Sequence, residues 1–214
     1  MLAVAGGYLD AFTWLVHGVM ANAQTANVVL LGVYAAARKW TEAFHYVPPI
    51  AAFTGGLFLA QYLRRCAAQK AGQISIVVEV TVLAIVLFLH AGLPDVAGTL
   101  GISFVAALQT ASFPKVEGWA YSSVMTTGNL RQSADALFKA LADKSDRTAL
   151  RKAYAFASLC TAFGLGAALG AFVTERLASL TLAFPIALLL GVLAYCARAD
   201  AQPDQNQGLP HRPH

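Results

Sequence analysis

Two short motifs of the same kind hold the residue types best suited to form a site inside a membrane. Residues 25–27 are Thr-Ala-Asn and residues 127–129 are Thr-Gly-Asn, and each motif adjoins a long apolar segment. Threonine caps helix N-termini, while asparagine tolerates a left-handed backbone and bonds nearby backbone groups. Such a turn can start a half-helix whose free amides and positive dipole end face a cavity or an anion. A simple helix cap at the bilayer interface is the competing and slightly favoured interpretation.

Two further polar side chains fall in the middle of apolar segments. Asp10 lies within residues 2–18, and Gln109 occupies the comparable place within residues 97–113. An ionisable group in lipid is costly and indicates a functional site by default. For Asp10, a role in a cavity or proton relay and a buried structural hydrogen bond remain equal alternatives. The candidate substrate or cavity residues are therefore Asp10, Thr25, Asn27, Gln109, Thr127 and Asn129.

Composition indicates the solvent in which these motifs lie. The chain has 214 residues, of which 57% are hydrophobic and only 12% are charged. A soluble domain is about one quarter charged, and one core of this size could not hide so much apolar surface from water. The net charge of +4 resides mainly between apolar segments, which favours loops at an anionic membrane surface over a nucleic-acid partner. The lipid bilayer is therefore the expected partner.

The apolar segments predict an all-α polytopic membrane protein with about six transmembrane helices. A crossing helix needs about 20 mostly apolar residues. The segments that meet or approach this length are 2–18, 43–63, 73–91, 97–113, 153–173 and 178–197.

Two shorter segments, 20–37 and 121–141, begin near the two motifs. The second is amphipathic and too polar to cross lipid alone, which predicts a surface helix or a half-helix packed within the protein. Its charged residues are Arg131, Asp135 and Lys139. The first segment is apolar enough that a crossing helix and a half-helix both remain open.

The order of segments repeats, which predicts two related halves of about residues 2–91 and 97–197. Residues 51–56 (AAFTGG) also align with residues 161–166 (TAFGLG), so that Phe53 matches Phe163. Three crossings per half is an odd number, so the second half would enter the membrane from the opposite face. Inverted repeats with a broken or amphipathic helix in each half are found in many transporters.

Loop charges predict the orientation. With a cytoplasmic N-terminus and two non-crossing short segments, twelve of the fifteen Lys and Arg residues face the cytoplasm. This predicts a multi-pass protein of the bacterial plasma (inner) membrane with both termini in the cytoplasm. Residues 1–197 form a single membrane domain, and the polar residues 198–214 form a disordered tail.

Single residues inside the segments have structural interpretations. Glu79 is placed near the cytoplasmic end of its helix, where snorkelling or pairing with a loop arginine is favoured over transport chemistry. Gly166 and Gly170 form a GxxxG pair that permits close helix packing, either within the chain or with a second copy. A homo-oligomer therefore remains open. Pro48 and Pro49 should kink their helix or occupy its first turn.

Two stretches resemble the signature stretches of the YoaK family. They are GGYLDAFTWLVHGVMANAQTANVVLLG (6–32) and ALQTASFPKVEGWAYSSVMTTGNLRQSADAL (107–137). The resemblance implies an uncharacterised bacterial integral membrane protein and carries no activity with it. Ala26 stands where that pattern usually has glycine, which predicts a less sharp first turn.

The function is predicted from the type of protein, a polytopic membrane protein with repeated segments, because the sequence has no recognisable catalytic motif. The sequence has no GxSxG, P-loop or HExxH motif and no paired cysteine ligands, so we expect no enzyme, no cofactor and no metal site. The favoured hypothesis is a small-solute transporter or channel with its site at the repeat interface. The alternative is a non-transporting membrane protein that binds lipid or protein partners through segment 121–141.

Overall fold

The computed structural model describes residues 1–89, 95–177 and 180–201. These residues form nine helices and one short hairpin. The elements are α1 (Leu2–His17), α2 (Gln24–Ala36), α3 (Trp40–Phe44), α4 (Val47–Cys66), α5 (Ala71–Leu89), α6 (Asp95–Ser112), β1 (Lys115–Val116), β2 (Trp119–Ala120), α7 (Thr126–Ala142), α8 (Arg147–Arg176) and α9 (Ala183–Ala201).

The all-α fold class is confirmed, and every predicted apolar segment contains a helix. The largest differences are at helix ends. Helix α8 begins six residues before its predicted start because the Asp146 carboxylate accepts a hydrogen bond from the Ala149 amide at 2.8 Å and caps the helix. Helix α9 extends to Ala201, so residues 198–201 of the predicted tail are helical. The remaining tail residues, 202–214, lie outside the described residues.

The chain is a membrane protein by the length and composition of its helices. Three helical stretches are long and apolar enough to cross a bilayer: Trp40–Cys66, which joins α3 and α4, Ala71–Leu89 and Arg147–Arg176. Several shorter helices are also apolar. These helices point large apolar side chains outward: Phe58 is 75% exposed and Phe88 is 79% exposed. Lipid accepts such a surface, whereas water would drive it to aggregate.

Two elements were not predicted from the sequence. Helix α3 is a short segment that leads into α4, whose first turn contains Pro48 and Pro49, as expected. Strands β1 and β2 form a hairpin whose two central residues, Glu117 and Gly118, have φ angles of 49° and 85°. Positive φ at both positions is typical of a type I′ turn. The Glu117 carboxylate also pairs with the Arg151 guanidinium of α8 at 2.8 Å.

The main packing contacts join the first helix of each half to a long helix of the other half. Helix α1 packs along α8, and α6 packs along α4. At the first crossing, Gly166 lies against the Val4 backbone, and at the second, Gly56 lies against the Phe104 backbone. Neither glycine has room for a side chain. The GxxxG pair is therefore used within the chain, since Gly170 also lies against the α1 backbone.

These two crossings align the halves at the level of single residues. Because Gly56 and Phe104 make the same contact as Gly166 and Val4, α4 corresponds to α8 with a shift of 110 residues and α1 to α6 with a shift of 100. The shift of 100 residues makes Thr110 of α6 the equivalent of Asp10 of α1. The sequence-based pairing of Asp10 with Gln109 is therefore off by one residue, because helix periodicity alone does not determine which residues touch.

Candidate functional site

Asn27 and Asn129 make the same pair of hydrogen bonds in the two halves. The Asn27 side chain accepts from the Met20 amide at 3.0 Å and donates to the Met20 carbonyl at 2.7 Å. Asn129 accepts from the Ser122 amide at 3.4 Å and donates to the Ser122 carbonyl at 2.7 Å. Each amide therefore clamps the backbone seven residues earlier, and both side chains are buried. We call these contacts the two asparagine clamps.

The two motifs lie inside the first turns of α2 and α7 and do not form turns of their own. The residues before these helices are Ala23 and Met125, and neither makes a side-chain cap hydrogen bond. The expected capping role of Thr25 and Thr127 is therefore wrong, because helix formation starts before them. Gly128 has no positive φ angle, and a Cβ there would meet no described atom within 4 Å. Alanine at position 26 consequently leaves the first turn no less sharp.

Asp10 holds the loop between α1 and α2 against the middle of α1. Its carboxylate accepts a hydrogen bond from the Asn22 amide at 2.7 Å, and the Asn22 side chain donates to the Gly6 carbonyl at 2.8 Å. The Thr13 hydroxyl accepts from the Ala21 amide at 3.1 Å. The loop thus folds back along α1, so α2 begins beside the midpoint of α1 and not at its end. This geometry favours a half-helix for residues 20–37.

The loop before α7 reaches the same stretch of α1. A Cβ on Gly6 would lie 3.1 Å from the Ser123 carbonyl oxygen and 3.2 Å from Val124. The two loops therefore meet on one helix, between about Gly6 and Asp10. The N-terminal ends of α2 and α7 are brought together there by contacts from both halves.

A cavity of about 550 Å³ lies where these two helix ends meet. It is lined by residues at equivalent positions of the two halves, including Thr25 with Thr127 and Phe53 with Phe163. Asp10 is the one ionisable side chain among its described lining residues. The walls are otherwise mostly apolar, and hydroxyl groups and first-turn amides supply the polar contacts. A small organic solute would fit within this volume.

The structure brings three of the six candidate residues into the cavity and separates the other three from it. Asp10, Thr25 and Thr127 line it. Asn27 and Asn129 are not lining residues but hold the loops that form its walls. Gln109 is buried and donates to the Leu2 carbonyl at 3.2 Å, in a different part of the helix packing.

Sequence reasoning missed several lining residues, Asn22 and Trp14 among them, and misjudged one buried residue. Asn22 and Trp14 line the cavity, and the signal for Asn22 was its place just before the first motif. The expectation that Glu79 snorkels or pairs with an arginine is wrong. Its side chain is 0% exposed, and neither carboxyl oxygen has a hydrogen-bond partner among the described residues. Helix α5 packs this face against α6 and not against a loop.

Comparison with known proteins identifies a family and no activity. A family model described as "Protein of unknown function (DUF1275)" matches residues 1–195. The matched range includes both asparagine clamps, the whole cavity and Glu79. No curated protein and no solved structure matches the chain.

Proposed function

We propose that the chain, a member of the DUF1275 family of proteins of unknown function, is a transporter. In this proposal it carries a small solute across the bacterial inner membrane through the cavity between α2 and α7. The resemblance of residues 6–32 and 107–137 to the YoaK family supports the same class of membrane protein. The proposed topology has six spans, with α2 and α7 as half-helices and both termini in the cytoplasm. One membrane domain of two inverted repeats then covers residues 1–197.

Equivalent contacts in the two halves support the inverted repeat. The α1–α8 and α4–α6 crossings use the same glycine-to-backbone contact, and the two asparagine clamps span the same number of residues. Two halves that exchange partners in this way are related by a pseudo-twofold axis. The bias of Lys and Arg residues toward one face supports the opposite insertion of the halves.

The cavity is the observation that carries the transport proposal. Its walls combine equivalent positions of both halves, which supports a location at the interface of the proposed repeats, where inverted-repeat transporters bind their substrates. Half-helix N-termini direct free amides toward such a site. The rings of Phe53 and Phe163 provide a matched pair of apolar walls. A small solute with an apolar body and one polar end suits these groups.

Catalysis is not part of the proposal. Asp10 accepts a hydrogen bond from the Asn22 amide, and no second ionisable group lines the cavity among the described residues. General acid–base or nucleophilic chemistry needs a positioned partner for such a group. We therefore propose a non-enzymatic function that needs no cofactor.

The experiment measures solute entry into proteoliposomes by stopped-flow light scattering with glycerol, formate and methylammonium. At least one of these solutes should enter faster than into protein-free liposomes. The substitution Thr25→Trp should return entry to the protein-free rate, because an indole would fill the cavity. Val29→Trp is the matched control, since Val29 is one turn along α2, is 57% exposed and is not among the residues that line the cavity.

A non-transporting membrane protein is the second candidate, and the outer surface of α7 favours it. Leu130, Phe138 and Leu141 are 61%, 75% and 67% exposed, on a helix that also exposes Arg131 and Asp135. Such a surface fits lipid or a membrane-bound partner. If none of the three solutes enters faster than into protein-free liposomes, transport of these solute classes is excluded and the second candidate is favoured.

A further inference from the structure

Glu79 is a carboxylic acid sealed inside the helix packing, away from the cavity. Its side chain is 0% exposed, and neither oxygen has a hydrogen-bond partner among the described residues. It is absent from both ion pairs found in the described part of the chain, Arg131–Asp135 and Arg151–Glu117. The proposed transport site does not use it, so its burial needs a separate explanation.

The side chain lies on the face of α5 that packs against α6. One turn before it, the Ser75 hydroxyl is 2.6 Å from the Ser112 hydroxyl of α6, and one turn after it Val82 contacts Gly101 of α6. Helical spacing places Glu79 on the same face, between these two contacts. The carboxyl group is therefore enclosed at the α5–α6 interface.

The surroundings of Glu79 supply no charge. Helix α6 has no titratable side chain from Val96 to Ser112. On α4 and α9, which also pack against α5, the titratable residues of the sequence lie toward one helix end: Tyr62, Arg64, Arg65 and Cys66 on α4, and Tyr195, Cys196, Arg198 and Asp200 on α9. No ion pair in the described part of the chain therefore offsets the burial of the Glu79 carboxyl group.

The fold itself does not need an acid at this position. When the shift of 110 residues that relates α4 to α8 is applied to the following helix, Glu79 corresponds to Leu189 of α9. Leu189 is likewise 0% exposed and belongs to the main hydrophobic cluster. An apolar side chain thus fills the equivalent place in the second half, while the first half keeps a group that is expensive to bury.

We propose that Glu79 is a proton-binding site that couples protonation to opening of the α5–α6 interface. An ionised carboxylate without a partner cannot persist in this packing, so the acid is neutral while the helices are closed. When it ionises, the proton passes to water and the carboxylate requires hydration. Loss of the proton is therefore possible only as α5 and α6 separate, and rebinding of the proton closes them.

A proton fits this site better than a metal cation. Cations such as Na⁺ require several oxygen ligands, as unwound backbone provides in transporters. Here the backbone around Glu79 is continuous helix. The Ser75 hydroxyl, one turn away on the same helix, is also engaged, since it donates to the Ala71 carbonyl and contacts Ser112.

The test measures the opening of the interface through a buried cysteine. Ser75→Cys is introduced into a chain whose Cys66, Cys160 and Cys196 are replaced by serine, in proteoliposomes. The rate of reaction with a water-soluble maleimide is compared between Glu79 and Glu79→Gln across a range of pH. The rate with Glu79 divided by the rate with Glu79→Gln cancels the intrinsic pH dependence of the thiol. This ratio should rise by up to about tenfold per unit increase in pH, as the ionised fraction of Glu79 does, before it levels off.

Controls separate this coupling from a general loosening of the fold. Ser133→Cys reports on the α7–α8 interface, where Ser133 bonds the Ala153 carbonyl, and its rate ratio should stay flat with pH. Glu79→Leu introduces the residue found at the corresponding position of the second half, Leu189. It should behave like Glu79→Gln, and it replaces that variant in the comparison if Glu79→Gln misfolds. A ratio at position 75 that does not change with pH overturns the proposal. A rise that requires Na⁺ in place of choline overturns the proton assignment. Neither result depends on whether the cavity carries a solute.

Discussion

The two halves of the molecule share their scaffold and differ in their acids. Each half has a glycine at its main helix crossing and an asparagine clamp that spans seven residues. The buried acids found among the described residues, Asp10 and Glu79, both lie in the first half. The corresponding positions in the second half hold Thr110 and Leu189. The contacts that define the architecture are thus duplicated, whereas these buried acids occur in one half only.

The loops that precede α2 and α7 show the same division. Asp10 anchors the first loop to α1 through the Asn22 amide. In the second loop, the Val124 amide is 3.4 Å from the hydroxyl of Ser122 in the same loop, and the β1–β2 hairpin lies just before it. The Asp10 carboxyl group therefore anchors the first loop to a neighbouring helix, and the second loop has no such carboxyl anchor among the described contacts. We expect the first loop to respond more strongly to loss of its anchor.

The largest effect is predicted at the α1–α8 crossing, whose glycine contact recurs at the α4–α6 crossing. Gly166→Val should destabilise the protein by more than about 3 kcal/mol, because the added atoms would overlap the Val4 backbone, which cannot turn aside as a side chain can. The measurement is the free energy of unfolding in mixed micelles by circular dichroism. Gly164→Val is the matched control on the same helix, since a Cβ there meets no described atom within 4 Å. Equal losses for the two variants would contradict the crossing.

A smaller effect tests the difference between the halves. Asp10→Ala should lower the free energy of unfolding by about 2–3 kcal/mol, because it leaves the buried Asn22 amide without its acceptor. Thr110→Val should change it by less than about 1 kcal/mol, since the Thr110 hydroxyl has no partner among the described residues. Asp10→Asn retains an acceptor oxygen and should recover part of the loss. If Thr110→Val were as damaging as Asp10→Ala, the division between the halves would not hold.

The smallest effect compares the two clamps. Asn27→Ala and Asn129→Ala should each lower the free energy of unfolding by about 1–2 kcal/mol, as each deletes bonds to a buried backbone segment. Asn27→Ala should be the more damaging, because its accepting bond is 3.0 Å long and that of Asn129 is 3.4 Å. Thermal unfolding of the single and double variants tests this order. A clamp that can be removed without loss would show that its loop is held by other contacts.

Most of the fold could be predicted from the sequence because lipid imposes simple rules. Length and hydropathy identify candidate crossing helices. The amphipathic pattern of residues 121–141 predicted a helix, which the structure shows as α7, and its polarity still predicts that it does not cross alone. The hairpin was missed, although Glu-Gly between two apolar residues is a turn signal. The α1–α8 and α4–α6 pairs were also missed, because the local sequence of a helix does not determine which other helix it packs against.

The site was predicted in its position but only partly in its residues. Repeated motifs correctly indicated that the starts of α2 and α7 approach each other, as Thr25 and Thr127 line one cavity. The asparagines were assigned to the cavity because their side chains bond backbone groups, but those groups lie seven residues back and only coordinates reveal them. Glu79 was misplaced because its helical face follows from the packing of α5 and not from its distance to a charged loop.

The exchanged pairing of helices has a consequence for synthesis of the protein. Helix α8 starts about 140 residues after Gly7, so at roughly 5–20 residues per second α1 waits about 7–30 s in the bilayer before its packing partner exists. During that interval the glycine surface of α1 faces lipid or the translocation machinery. A ribosome stalled before α8 would leave a nascent chain with seven of the nine described helices, in which α4 and α6 can pair but α1 lacks its main packing partner. Quality control should therefore recognise such truncated chains by an uncovered first helix.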